Sequence, residues 1–491
     1  MSKPEYDVVI VGTGMGGAAA GAVLASQGCK VTLLEKNERI GGACSFYEKD
    51  GVHVDVGAHF FSRGNRGPIG EVQRRLGTKP SVEFLRRDPL MRIQGPSFDI
   101  TADARLRSLP RFYASMFRQF GVKPQEVPTL LKRTFASLVQ SDRSIQSMNQ
   151  KKLQEEALPV EQNPRLMLFN STMMGLYFVI PFSWVSAGEA AWCTQKAMRN
   201  QASGYPRGGA AAIPQAFLDG ARAFGAKIER NCRVKKISVQ RGRTVGVETA
   251  DGRFFSSRAV VSNTSLKETV RLTGKQRFTP EYLEHVQGMK SSLSAVQAKI
   301  LLDKPVVEEG ILVGMRDARD DAGAPLSVED VHGLWEDTLA GKIPKIFPYY
   351  CPVPTNFDSG LAPAGKQLLT LGAGAPLCGR ETPDGPDAWI DAMLEALFSF
   401  RPEIRDHVVW IDRFNTRFLE NWLGKTGGPV ISTCQDTRQV GRLRHPNEMP
   451  IRGLYAAGDC AGARGIGTEL ACQSGIDCAD AIARALRNKL L

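Results

Sequence analysis

Tyr6-Asp7-Val8-Val9-Ile10-Val11-Gly12-Thr13-Gly14-Met15-Gly16-Gly17-Ala18-Ala19-Ala20 is the stretch whose reading decides the fold. Residues 6–11 are branched and apolar, as a buried strand requires. Gly12 to Gly17 fits G-x-G-x-x-G, residues 18–27 read as a helix of small side chains, and residues 30–34 form a second apolar strand. Two parallel strands joined by a helix imply an α/β sheet covered on both faces. Gly12 permits the sharp turn, Gly14 lets the backbone approach a pyrophosphate, and Gly17 lets the helix pack closely on the strand, with Met15 and Gly16 completing the turn. The amides and positive end of that helix would receive the phosphate charge. Glu35, at the end of the second strand, stands where an acid binds the adenosine ribose, and a carboxylate there would repel a 2′-phosphate.

Outward from this unit, residues 63–92 are polar and basic, and residues 103–192 turn mostly helical. A second organised stretch follows Tyr205: a glycine turn, a helix near 213–224, and strands near 227–230, 233–239, 244–249 and 253–262, with Asp251-Gly252 as a hairpin turn. Residues 451–491 again read as strand, glycine turn and long helix. The expected organisation is a Rossmann-type cofactor domain in three segments, 1–95, 201–264 and 426–491. A helical substrate or lid insertion takes 96–200, and a mixed α+β substrate domain takes 265–425.

The 491 residues, 42% hydrophobic and 23% charged, are globular in composition, and the net charge of +12 asks for an acidic partner. No Lys/Arg run interleaves with aromatics, so no nucleic-acid partner is expected. The ten cysteines include no Cys-x-x-Cys pair, no stretch is apolar enough to span a membrane, and the first strand begins near Tyr6. A cytoplasmic protein follows as the expectation, with peripheral contact at the inner face of a membrane.

Lys36 and the residues after it lead to Gly41-Gly42-Ala43-Cys44-Ser45, and then to Asp55-Val56-Gly57-Ala58-His59. Near the other end stand Gly453-Leu454-Tyr455-Ala456-Ala457-Gly458-Asp459 and Gly465-Ile466-Gly467-Thr468-Glu469. With these elements the chain resembles the GG-doublet FAD proteins, the superfamily of phytoene desaturases, carotenoid isomerases, retinol saturases and amine oxidases. The resemblance implies FAD as cofactor. Residues Lys36, Gly41, Gly42, Ala43, Gly57, Ala58 and His59 would pass along its pyrophosphate and flavin. Val234 would meet the adenine, and Gly458 with Asp459 the ribityl chain. The helix opened by Gly467, Thr468 and Glu469 would aim its positive end at the flavin N1–C2=O edge. His59 is the one catalytic candidate, as proton donor or acceptor beside the flavin. The chain departs from many relatives in having Ala43 where they have Arg. Cys44 has Lys49, not a second cysteine, five residues on, which removes dithiol relay chemistry.

No Ser–His–Asp set and no metal-ligand cluster is expected. Residues 166–184, rich in Leu, Met, Phe and Tyr, read either as a core helix or as the lining for a long apolar substrate. Between Arg105 and Arg165 basic residues outnumber acidic ones, and Leu109, Phe112, Tyr113, Met116, Phe117 and Phe120 recur at helical spacing. Such a helix either packs on its own protein or rests on anionic lipid. The leading expectation is an FAD-dependent oxidoreductase adding or removing C=C bonds in a polyprenyl or carotenoid-like molecule, with an electron acceptor or donor left unidentified. The alternatives are a redox-neutral carotenoid-type isomerase, an amine oxidase, and a prenyl-binding protein without redox chemistry, like the Rab escort proteins that share the fold.

Overall fold

The computed structural model describes residues 4–57, 60–77, 82–318, 325–381 and 385–491. Its first sheet is built on Tyr6–Val11, whose Val8, Val9 and Ile10 are wholly buried, as a central strand covered on both faces must be. Five parallel strands run in the order Leu454–Ala456, Phe254–Ser262, Tyr6–Val11, Val31–Leu34 and Lys227–Glu229. The antiparallel pair Val234–Gln240 and Arg243–Thr249 extends from the start of Phe254–Ser262. All three expected sequence segments therefore contribute strands to one sheet.

The helix Met15–Ser26 begins three residues earlier than the sequence pattern suggests, inside the glycine motif. It has no polar face. Ala18, Ala19, Ala20 and Ala22 are fully buried because the helix is sandwiched between the sheet and the last helix, Gly467–Arg487. Small residues are required there. A Cβ on Gly475 of the last helix would lie 2.3 Å from the carbonyl oxygen of Gly16, and one on Gly21 would lie 2.8 Å from Leu33.

A second sheet has the order Val408–Phe414, Ser294–Leu302, Gln367–Ala375, Ile346–Pro352, Ile311–Asp317, Met91–Gly95 and Phe98–Ala102. Along Ser294–Leu302 the side chains alternate. Val296, Ala298, Ile300 and Leu302 pack with the helix Gly385–Phe400, while Ala295 and Gln297 face a cavity between the sheets.

Two expected boundaries are corrected. Met91–Gly95 belongs to the second sheet, held parallel to Ile311–Asp317, so the first cofactor segment ends before residue 91 instead of at 95. The helices Leu266–Thr273 and Pro280–Gly288, expected in the substrate domain, bury Leu266, Val270, Leu272 and Val286 with Val9, Val11 and Leu34 of the first sheet. Their apolar faces assign them to the cofactor domain. The insertion is helical, with Leu109–Phe120, Val127–Val139, Asp142–Ser147, Pro164–Phe178 and Ala187–Asn200.

Candidate active site

One continuous cavity of about 520 Å³ runs from the first glycine turn to the face of the second sheet. At its polar end three bare backbone segments meet. Gly12 has φ +94°, Gly41 φ +101° and Gly458 φ +110°, conformations open to glycine. Gly14 and Gly41 form a parallel bridge, so the two glycine turns lie side by side. A Cβ on Gly16 would stand 2.6 Å from Cα of Gly458, and one on Gly14 would stand 2.8 Å from Nδ2 of Asn263. Asn263 follows the strand Phe254–Ser262, and its backbone N–H donates to the Val11 carbonyl at 2.9 Å. Its side-chain amide thus braces both glycine motifs, a role the sequence reading missed because its strand ended at Ser262.

Of the expected cofactor residues, Gly12, Gly14, Met15, Gly16, Glu35, Lys36, Gly41, Gly42, Ala43, Gly57, Val234, Gly458, Asp459, Gly467, Thr468 and Glu469 line this cavity. Gly17 does not; a Cβ there would lie 2.2 Å from the Gly12 carbonyl oxygen, so its place is in the helix-to-turn packing. Ala58 and His59 lie outside the described residues. The Glu35 carboxylate is buried and fixed by three donors. Thr13 N–H and Thr13 Oγ1 reach Oε2 at 3.0 and 2.6 Å, and Asn37 N–H reaches Oε1 at 3.0 Å. The Met15–Ser26 helix has no acidic residue in its first turn, so its amide end keeps its positive potential for a ligand.

Asp459 is held by residues that no motif announced. Its Oδ2 accepts from Lys425 Nζ at 2.6 Å and from Ser432 N–H at 3.1 Å. Burial works to raise the Asp459 pKa, but the Lys425 ammonium and Ser432 override it and hold the carboxyl below its ordinary range. Trp422 Nε1 donates to the Gly42 carbonyl at 3.0 Å, and Lys36 Nζ to the Asn421 carbonyl at 2.8 Å. The segment around 421–425 therefore clamps both ends of the cradle. Glu469 accepts from Arg63 N–H at 2.7 Å and Ser62 Oγ at 3.1 Å, with its pKa raised by burial. It ties a loop to the last helix. Burial, with Asp55 nearby, likewise pushes the Cys44 thiol up and keeps it a protonated packing residue.

Toward the second sheet the lining becomes apolar, with Met173, Leu176, Leu293, Val313 and Trp335. The helix Pro164–Phe178 is divided between the core and the cavity wall. Leu166 and Leu168 are buried in the core, whereas Met173, Leu176 and Tyr177 face the cavity. Trp335 packs so closely that a Cβ on Gly175 would meet its ring at 2.1 Å, and its Nε1 donates to Ser171 Oγ at 2.6 Å. Among the described residues, no group of three or more His, Cys, Asp or Glu is placed to hold a metal.

The cradle fits a dinucleotide with a long non-nucleotide arm. Glycine backbone and a helix N-terminus would serve the diphosphate and Glu35 one ribose, and the cavity continues past Asp459 to the second helix N-terminus, at Gly467. The chain belongs to the flavin-containing amine oxidoreductase family, whose model matches residues 15–483. It is an FAD-dependent oxidoreductase. A phytoene desaturase of Fusarium fujikuroi is 25% identical over 401 residues, which cover 76% of this chain and 66% of that protein. The chloroplastic prolycopene isomerase of Daucus carota is 24% identical over 536 residues, covering 98% of this chain and 80% of the other. The chain thus spans about two thirds of the fungal relative's length and four fifths of the plant one's. The solved structure of an oxidoreductase from Methanosarcina mazei shares the fold at a TM-score of 0.70 and 18% identity, covering 96% of this chain and all of that one.

Proposed function

We propose that this enzyme adds or removes C=C bonds in a polyprenyl or carotenoid-like molecule. The observation that carries the reading is the union of the dinucleotide cradle with an apolar chamber in one cavity. The bound flavin would supply hydride acceptance or delivery at N5. The protein's contribution is orientation and exclusion of water: Met173, Leu176, Val313 and Trp335 would hold a hydrocarbon chain against the cofactor without offering a competing nucleophile. Net turnover needs an external electron acceptor or donor, as yet unidentified. An amine oxidase reading finds less support, because among the described residues the acidic side chains lining the cavity (Glu35, Glu268, Asp459 and Glu469) lie toward the cradle and none lies among the apolar residues that would receive the substrate. The isomerase reading is favoured by the likeness to prolycopene isomerase along almost the whole chain.

The helical insertion is read as a lid that also rests on a membrane. Phe135 and Val139 are 64% and 78% exposed on the helix Val127–Val139, in a basic stretch of the chain. Among the described residues no helix is long and apolar enough to cross a bilayer, so the contact would be peripheral, at the inner face.

Anaerobic incubation of lipid extract with the oxidised and with the photoreduced protein, followed by mass analysis, tests the reaction, loss of two hydrogens requiring the oxidised flavin and gain of two the reduced one. A change of two hydrogens is the expected result. Altered retention at constant mass would move the assignment to the isomerase, and protein that takes up no flavin would leave only prenyl binding.

A further inference from the structure

The floor of the apolar chamber carries one polar row. In the second sheet Gln297 lies directly opposite Gly372, Gly372 opposite Tyr350, and Tyr350 opposite Val313. Directly opposed residues point to the same face of a sheet, and all four line the cavity. Gln297 and Tyr350 are thus two strand spacings apart, about 10 Å between backbones. The residue between them has no side chain. Ala295 and Gly374, the opposed pair two residues along, keep the floor low beside this notch.

Two other polar groups at this end are already satisfied. Trp335 Nε1 donates to Ser171 Oγ at 2.6 Å, and Thr338 Oγ1 to the Leu334 carbonyl at 2.8 Å. Gln297 is different. It is 6% exposed, and its Oε1 accepts from Lys299 Nζ at 2.8 Å. Lys299 lies two residues along the same strand, on the same face, and is wholly buried. With the amide oxygen turned to the lysine Nζ, the NH₂ is the end that faces the chamber. That Nε2 donates to no described residue, nor does the Tyr350 hydroxyl bond to one. Two donors without a protein partner flank a glycine notch in an otherwise apolar wall and are open to an acceptor carried by a ligand.

We propose that the Gln297–Gly372–Tyr350 row is a substrate-oxygen site. It receives a hydroxyl or carbonyl oxygen of the molecule whose hydrocarbon part fills the chamber. The substrate class is then an oxygen-bearing isoprenoid and not a bare hydrocarbon. This rests on the isoprenoid reading above, but it is read out by binding, independently of any turnover.

The test uses full-length, flavin-loaded enzyme and matched probes of short and long chain, farnesol against farnesene and zeaxanthin against β-carotene. Binding is followed by perturbation of the flavin spectrum and quenching of protein fluorescence. At least one oxygenated probe is expected to bind about tenfold more tightly than its hydrocarbon partner, the factor worth one hydrogen bond. Gln297→Leu and Tyr350→Phe should each bring that preference down to about twofold or less, while the flavin spectrum attests folding. Equal binding within both pairs, or no binding of either alcohol, overturns the proposal. So does a Gln297→Leu variant that shifts the flavin spectrum or potential and leaves the preference intact, because the amide would then serve the cofactor. If Gln297→Leu does not fold, Tyr350→Phe decides alone. Failure of the wider reading looks different: the preference would stand, but no probe would gain or lose hydrogens or isomerise.

Discussion

Lys299 shows how much one buried residue can be made to do. Burial pulls its pKa from the ordinary 10.5 down to about 7, with Asp55 and Cys351 opposing the shift. Asp55 is itself buried, accepting from Tyr205 Oη and from Ala210 N–H. Between about pH 7 and 10.5 the unfolded chain therefore carries more protons at this position than the folded one. Stability should rise with pH across that window, by up to about 1.4 kcal/mol per unit, and be lowest where the folded lysine is charged. Lys299→Met is expected to flatten this rise and to stabilise the protein near pH 7 by about 1–4 kcal/mol, as replacing a buried charge by a packed apolar group often does. Denaturant unfolding at pH 7 and pH 9 measures both effects, and parallel pH profiles for the two proteins would refute the account. A lysine that lowers stability yet fixes the Gln297 amide is in keeping with a site built for a ligand.

The elements that hold the cofactor cradle meet back to back. Gly475 of the last helix touches the Gly16 carbonyl, and Gly16 in turn abuts Gly458, so the two glycine motifs are set by a crossing of helices with no room for a methyl group. Gly475→Val should push the helices apart at a cost of about 1–3 kcal/mol. Thermal unfolding and flavin release are expected to shift together, because the same contact serves both. Gly333→Ala, on an open helical face, is the control and should do neither. Retention of flavin by a clearly destabilised Gly475→Val protein would separate packing from binding. At this scale the sequence was read well wherever the information was local. Tyr6–Val11, the glycine turn and the strands Val234–Gln240 and Arg243–Thr249 lie within a residue or so of their expected bounds, since periodicity and turn chemistry act over a few residues. What stayed hidden was carried by distance. Met91–Gly95 pairs with a strand more than two hundred residues later, and Lys425 and Trp422 reach the cradle from a segment with no motif of its own. Asn263, one residue beyond a correctly read strand, acquires its role only once Gly14 and Gly458 are brought against it.

For the whole molecule, the arrangement of charge and apolar surface bears on the proposed membrane contact. The chain carries a net charge of +12. Its helical insertion is layered: Pro164–Phe178 walls the chamber, Leu109–Phe120 and Val127–Val139 pack outside it through Met116, Phe117, Phe120 and Leu130, and Phe135 and Val139 are left bare on the outermost surface. Phe135 and Val139 are four residues apart and so lie on one side of their helix, with Lys132 exposed nearby. A positively charged surface with a small apolar ridge is suited to anionic lipid, where attraction of the cations and insertion of the ridge add. The full-length protein is therefore expected to co-sediment with vesicles containing phosphatidylglycerol, to do so less as salt is raised, and to ignore purely zwitterionic vesicles. Phe135→Ser combined with Val139→Ser should reduce partitioning by about tenfold or more, since each side chain contributes roughly 1.5–3 kcal/mol when fully buried. Flavin content should be untouched, because neither residue lines the cavity. Undiminished partitioning of the double variant would transfer the contact to another surface and separate substrate delivery from the helical insertion.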